Sequence, residues 1–127
     1  MNIESLTLLN DSEIDYQSLT LAQLESLALQ EDLFIANSAL SELYSRDKNL
    51  AENIAWKILI NFLGDVYLQA TALEIAFDCN QYKTIAFIQE HFFNFDDYLR
   101  HTVQELIREN NLEHDNLLKK FSLVVLN

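Results

Sequence analysis

Three stretches of this chain align on one another without gaps, and that repetition constrains the fold more than any other feature. Asp32-Leu-Phe-Ile-Ala-Asn-Ser-Ala-Leu-Ser-Glu-Leu43 lies over Asp65-Val-Tyr-Leu-Gln-Ala-Thr-Ala-Leu-Glu-Ile-Ala76 at an offset of 33 residues. Asp96-Asp-Tyr-Leu-Arg-His-Thr-Val-Gln-Glu-Leu-Ile107 follows at a further 31. Each copy opens on Asp and then places an aromatic (Phe34, Tyr67, Tyr98), an aliphatic (Ile35, Leu68, Leu99) and a hydroxyl residue (Ser38, Thr71, Thr102). Between the copies, Ile54-Ala55-Trp56 corresponds to Ile85-Ala86-Phe87, again 31 residues apart. A period of that length accommodates two helices and their turns.

Composition settles that the repeating unit is helical. Proline is absent and the one glycine is Gly64, so a β fold with its many tight turns has almost no residues to make them. The spacing predicts a first helix of each pair (A) near 32–46, 65–79 and 96–110. Second helices (B) are expected near 49–63 and 81–92, with a short last one near 113–121. Thr20 to Gln30 reads as an opening helix, Thr20 and Gln23 being spaced as a capping box. The expected fold is all-α: a short α-solenoid of stacked antiparallel helix pairs in a single domain, 1–127. The repeats span 32–63, 65–93 and 96–121, and residues 1–31 form an N-terminal cap. At this length the chain buries enough surface to hold a core without cross-links.

Local chemistry agrees with those boundaries. Asp32, Asp65 and Asp96 fall at helix starts, where a carboxylate accepts free backbone N–H groups and opposes the helix dipole. Asn80, Asn94 and Asn110-Asn111 fall at helix stops, where Asn tolerates a left-handed backbone. The Gly64-Asp65 junction is expected to be the tightest turn.

The charge is lopsided. Twenty acidic residues against eight basic give a net charge of −12, and no Lys or Arg occurs before Arg46. The same stretch carries Glu4, Asp11, Glu13, Asp15, Glu25, Glu31, Asp32 and Glu42. Such a field repels phosphate backbones and anionic lipid and speeds encounter with cationic proteins, although acidity alone also serves solubility. The expected partner is therefore a basic protein, with no nucleic acid and no membrane. The single Cys79 fits a reducing cytoplasm. The start lacks a basic segment ahead of an apolar one, so no signal peptide is expected, and no run approaches the length of a membrane span.

A helical wheel for the middle A helix puts Leu68, Ala72, Ile75, Ala76 and Cys79 on one face, with Val66, Ala70, Leu73 and Phe77 widening the apolar arc. The strip left over is Tyr67, Thr71, Glu74 and Asp78; its equivalents are Phe34, Ser38, Ser41, Ser45 and Tyr98, Thr102, Glu105, Glu109. In register, these strips would put aromatics at one end of a surface and carboxylates at the other, anchors and steering charges for a basic protein. Alternatively, the rings lean onto neighbouring repeats and only the polar groups meet water. The candidate partner-binding residues are Phe34, Tyr67, Thr71, Glu74, Asp78, Tyr98 and Glu105. The acidic stretch Asp11, Glu13, Asp15 and Glu31 is a second choice. Trp56 and Phe87, in matching B positions, are expected to stack between repeats.

Nothing in the sequence points to catalysis. His91, His101 and His114 lack a second histidine or cysteine at ligand spacing, one glycine cannot form a phosphate loop, and Cys79 lies on an apolar face. No catalytic residue, cofactor or metal is assigned.

The segment Asp65-Val-Tyr-Leu-Gln-Ala-Thr-Ala-Leu-Glu-Ile-Ala-Phe-Asp78, followed by Tyr82-Lys-Thr-Ile-Ala-Phe-Ile88, resembles a HEAT-type repeat. In particular it resembles those of small bacterial immunity proteins from contact-dependent growth inhibition and related polymorphic-toxin systems. The resemblance covers about 32–107. The HEAT pattern also favours an Arg early in the A helix, a place filled here by Arg100 alone. It implies a cytoplasmic antitoxin that binds the nuclease domain of a cognate toxin and neutralises it by stoichiometric complex formation. A general scaffold domain would share the fold, and a helical-repeat lyase would need a deep pocket with convergent polar groups.

Overall fold

The computed structural model describes residues 9–126; the first eight residues of the expected N-terminal cap, Glu4 among them, lie outside it. Seven α-helices and no strand occur among the described residues. They are α1 (Leu21–Ala28), α2 (Leu33–Arg46), α3 (Lys48–Ile60), α4 (Val66–Cys79), α5 (Gln81–His91), α6 (Asp97–Glu109) and α7 (Lys119–Ser122). Single 3₁₀ turns stand at Asp11–Glu13, Tyr16–Ser18 and Phe92–Asn94.

The helix starts follow the expected chemistry. Asp32 accepts from the backbone N–H groups of Phe34 and Ile35, both at 3.1 Å; Asp65 accepts from Leu68 at 2.9 Å and Asp96 from Leu99 at 3.0 Å. Thr20 and Gln23 close their capping box at 3.1 and 2.9 Å. The B helices are capped the same way, by Asp47 onto Leu50 and Asn80 onto Lys83, each at 3.1 Å.

The helix stops are less regular. Asn111 does adopt a left-handed backbone (φ 56°), but Asn80 does not (φ −151°). It ends α4 and starts α5 at once, so its side chain is used as an N-cap rather than as a left-handed stop. Asn94 is the last residue of a 3₁₀ turn, with no positive φ. Helix α3 stops at Ile60, short of the expected 63, because Phe62 turns left-handed (φ 51°) and the Leu63 N–H reaches back to the Ile58 carbonyl at 2.9 Å. Gly64 follows at φ 70°, a backbone that favours glycine, and a Cβ there would lie 2.6 Å from Leu68 Cδ2 and force that side chain to shift.

The last helix is shorter than expected: α7 covers only Lys119–Ser122, not 113–121. Glu113-His-Asp-Asn116 offers no apolar stripe, and the Asp115 side chain accepts from the Leu117 N–H at 2.8 Å, holding a turn instead. Gln104 on α6 then donates to the carbonyls of Phe121 and Val124, which ties the C-terminal segment down.

The helices pack in pairs, and α4 touches α2, α3, α5 and α6. Enclosure on so many sides explains why Leu68, Ala70, Ala72, Leu73, Ile75, Ala76 and Phe77 are all buried, and its alanines let neighbours approach closely. Helix α6 has a neighbour on fewer sides and is sharply amphipathic, burying Leu99, Val103, Leu106 and Ile107. As expected, Trp56 on α3 meets Phe87 on α5 edge-on, with centroids 5.7 Å apart. The Trp56 indole N–H donates to Glu52 at 3.0 Å, and the Lys83 ammonium sits 4.4 Å above the ring. Arg100 donates to the carbonyls of Phe92 and Phe93 at 3.2 and 2.6 Å, joining the start of α6 to the 3₁₀ turn after α5. Among the described residues, no buried side-chain nitrogen or oxygen lacks a hydrogen-bond partner.

Candidate functional site

Contacts between the A-type helices carry offsets within one residue of the sequence repeat. Phe34 and Tyr67, 33 apart, line one cleft, and the Tyr44 hydroxyl donates to Asp78, 34 apart. Tyr67 and Tyr98, 31 apart, meet edge-on with centroids at 4.7 Å. Partners with near-constant offset at both ends of a helix mean that α2, α4 and α6 run parallel and in register. Phe34, Tyr67 and Tyr98, one from each strip, thus stand side by side.

At this aromatic end the rings are outward. Phe34 is 78% exposed, Tyr67 56% and Tyr98 46%, so the Tyr67–Tyr98 contact covers only part of each ring. The repeated hydroxyls serve their own helices. Thr71 and Thr102 donate to the carbonyls of Tyr67 and Tyr98, four residues back, at 3.2 and 3.1 Å. Thr102 is buried and takes no part in the surface; Thr71 is half-buried.

The acidic end converges. On α4, Glu74 lies near two carboxylates of α6, and partial burial first, then Glu109 and Glu105, push its carboxyl above the ordinary range. Among the described residues no cation pairs with any of the three. Asp78 differs. The Tyr44 hydroxyl and the Lys48 ammonium (3.6 Å) hold it, the hydroxyl foremost in drawing its carboxyl below the usual range. Asp78 is thus mostly engaged within the chain.

The second-choice acids flank α2. Asp11 accepts from the Tyr16 hydroxyl, and Ser38 on α2 lies within reach of that same hydroxyl. Burial, then Asp11, drives the Tyr16 phenol well above its ordinary value. Glu13 accepts from the Asn10 N–H at 3.2 Å, Asp15 is exposed, and Glu31 lies in the loop before α2. Asp11 through this contact borders the α2 strip, so the two candidate regions adjoin.

Several surface residues escaped the sequence reading. Leu29, Leu33 and Leu63 gather beside Gly64, extending the apolar end from the Phe34–Tyr67 cleft onto the loops. Leu29 and Leu63 belong to turns, where no periodicity marks a face, and Leu33 is the first residue of α2. Tyr44 and Lys48 were not legible as partners of Asp78, because one lies on α2 and the other on α3.

Cys79 is half-buried with Sγ 3.8 Å from the Lys48 carbonyl, and burial, then Glu52 and Asp78, push its thiol up, away from the reactive thiolate. No group of three or more His, Cys, Asp or Glu among the described residues is arranged to hold a metal ion. A groove beside α5, about 420 Å³ and lined by Tyr82, Ile85 and Leu117, contains one carboxylate, Asp115, and neither histidine nor cysteine. No helix among the described residues is long and apolar enough to cross a membrane. No protein-family model matches the chain, and comparison with curated proteins and with solved structures gave no match.

Proposed function

We propose that this protein is an immunity protein: it binds the basic nuclease domain of a cognate bacterial toxin and neutralises it as a stoichiometric complex, without turnover. The observation that carries this reading is the parallel run of α2, α4 and α6, with three exposed rings towards one end and, towards the other, three carboxylates that no cation pairs with among the described residues. Exposed aromatics anchor protein interfaces, and concentrated negative charge speeds encounter with a basic partner. Carboxylates presented to a nuclease can stand where substrate phosphates would lie. The fold we infer behind this surface is a short solenoid of HEAT-like repeats, supported by the near-equal offsets in sequence and in contact. Action inside the cytoplasm follows from the same proposal, since that is where an intracellular nuclease would do harm.

Co-expression with each toxin domain encoded next to this gene tests the proposal. Growth should be rescued by one of them, and the Tyr67→Ala/Glu74→Gln double variant should lose rescue while remaining folded by circular dichroism. Failure to rescue with every adjacent toxin would overturn the immunity assignment. Rescue undiminished in the folded double variant would instead remove this face as the interface.

A further inference from the structure

The surface between α2 and α4 is a furrow with two openings, one almost wholly apolar and one bordered by carboxylates. One, about 410 Å³, is walled by Leu33, Phe34 and Tyr67 and is almost wholly apolar. The other, about 300 Å³, has Ile75 at its base with Tyr44, Glu74 and Asp78 around it. Short side chains line both, Asn37 the first and Ser41 and Thr71 the second, with the Thr71 hydroxyl turned back to its own helix. Phe34 to Ser41 and Tyr67 to Glu74 are each seven residues, two helical turns, or about 10 Å along the axis.

That separation selects the shape of a guest. On a strand rising about 3.3 Å per residue, a 10 Å step is three residues, which puts the two side chains on opposite faces. On an α-helix the same step is about seven residues, and positions i and i+7 share a face. A helix parallel to α2 and α4 would fill the furrow as a third packed helix, at the usual interaxial distance of about 8–10 Å. The guest's charge is set as well. Glu74 has no cation of its own and two carboxylates beside it, whereas Asp78 is held by Lys48 and Tyr44. A second copy of this chain, also at −12, would be repelled from it.

We propose that the α2–α4 furrow takes one basic amphipathic α-helix of the partner, with an apolar side chain between Phe34 and Tyr67 and an Arg or Lys seven residues along it on Glu74. This rests on the protein-docking reading above and specifies the element that docks.

The test uses the full-length, ¹⁵N-labelled protein and two synthetic helical peptides of about five turns. Both carry one Leu and one Arg on the same neutral host, at i and i+7 in one and at i and i+5 in the other. The matched peptide should shift the amide signals of residues 34–41 and 67–74 and bind at least about tenfold more tightly than the mismatched one. Ser41 is exposed, so Ser41→Arg should fold normally, close the furrow and abolish the effect. No shift at about 1 mM peptide, a Kd limit near −4 kcal/mol, would overturn the proposal. So would equal binding of both spacings, or shifts confined to other surfaces. Toxin rescue by wild-type protein alongside a negative peptide result leaves the docking reading standing and removes the furrow. Matched-peptide binding with no rescue by any toxin does the reverse.

Discussion

Glu74 on α4 lies near two carboxylates of α6, Glu105 and Glu109. Its carboxyl is raised by partial burial and by Glu109 and Glu105, so the native chain holds a proton there more readily than the unfolded chain does. Stability from this group is therefore lost as pH rises through the raised value, and regained as pH falls towards the ordinary carboxylate range. Glu74→Gln should raise stability at neutral pH by less than about 1 kcal/mol, the effect being damped by solvent. Its stability should also change less than the wild type's between pH 7 and about 5. Urea unfolding at both pH values measures this, and identical pH dependence in the two proteins would show that the three carboxylates do not interact. If the docking surface is as proposed, the same substitution weakens binding, a trade of stability against function.

At the scale of elements, the aspartates at 32, 65 and 96 mattered twice. In the sequence they marked the repeat; in the structure each satisfies backbone N–H groups that a helix start leaves open. If the hydrogen bond is the larger part, Asp65→Ala should cost about 1 kcal/mol while Asp65→Asn stays near wild type, since Asn also accepts. An equal loss in both, by thermal or urea unfolding, would assign the effect to charge on the helix dipole. Element boundaries were legible wherever a cap or an apolar stripe marked them, as in α2, α4, α5 and α6. They were missed where competing local bonds decided: at Phe62, which turned left-handed without being Asn or Gly, and across Glu113–Asn116, where Asp115 fixed a turn in place of a helix.

For the whole molecule, charge opposes compaction. With −12 on 127 residues and few salt bridges among the described residues, self-repulsion is a general burden. Adding salt from about 0.01 to 0.5 M shortens the screening length from roughly 30 Å to under 5 Å. The midpoint of thermal unfolding should rise by several degrees, and a midpoint that stays flat or falls would show that the acids are already balanced locally. The candidate surface was partly legible at this scale: the wheel of α4 picked out Tyr67, Thr71 and Glu74 because an enclosed helix has only one strip to spare. Leu29 and Leu63 were not, because turn residues carry no period from which to assign a face.

The sequence by itself determined the helical class, the starts of the helices and the facing of their side chains, since those depend on short-range hydrogen bonding and on the 3.6-residue period. Only the tertiary structure decided which of those outward side chains meet. Asp78 became occupied when Lys48 and Tyr44 reached it from two other helices, and Glu74 became crowded when α6 brought Glu105 and Glu109 alongside. Such pairings follow from how far apart and at what rotation neighbouring helices settle, which the packing of Leu68, Ala72 and Ile75 fixes and no single helix can express.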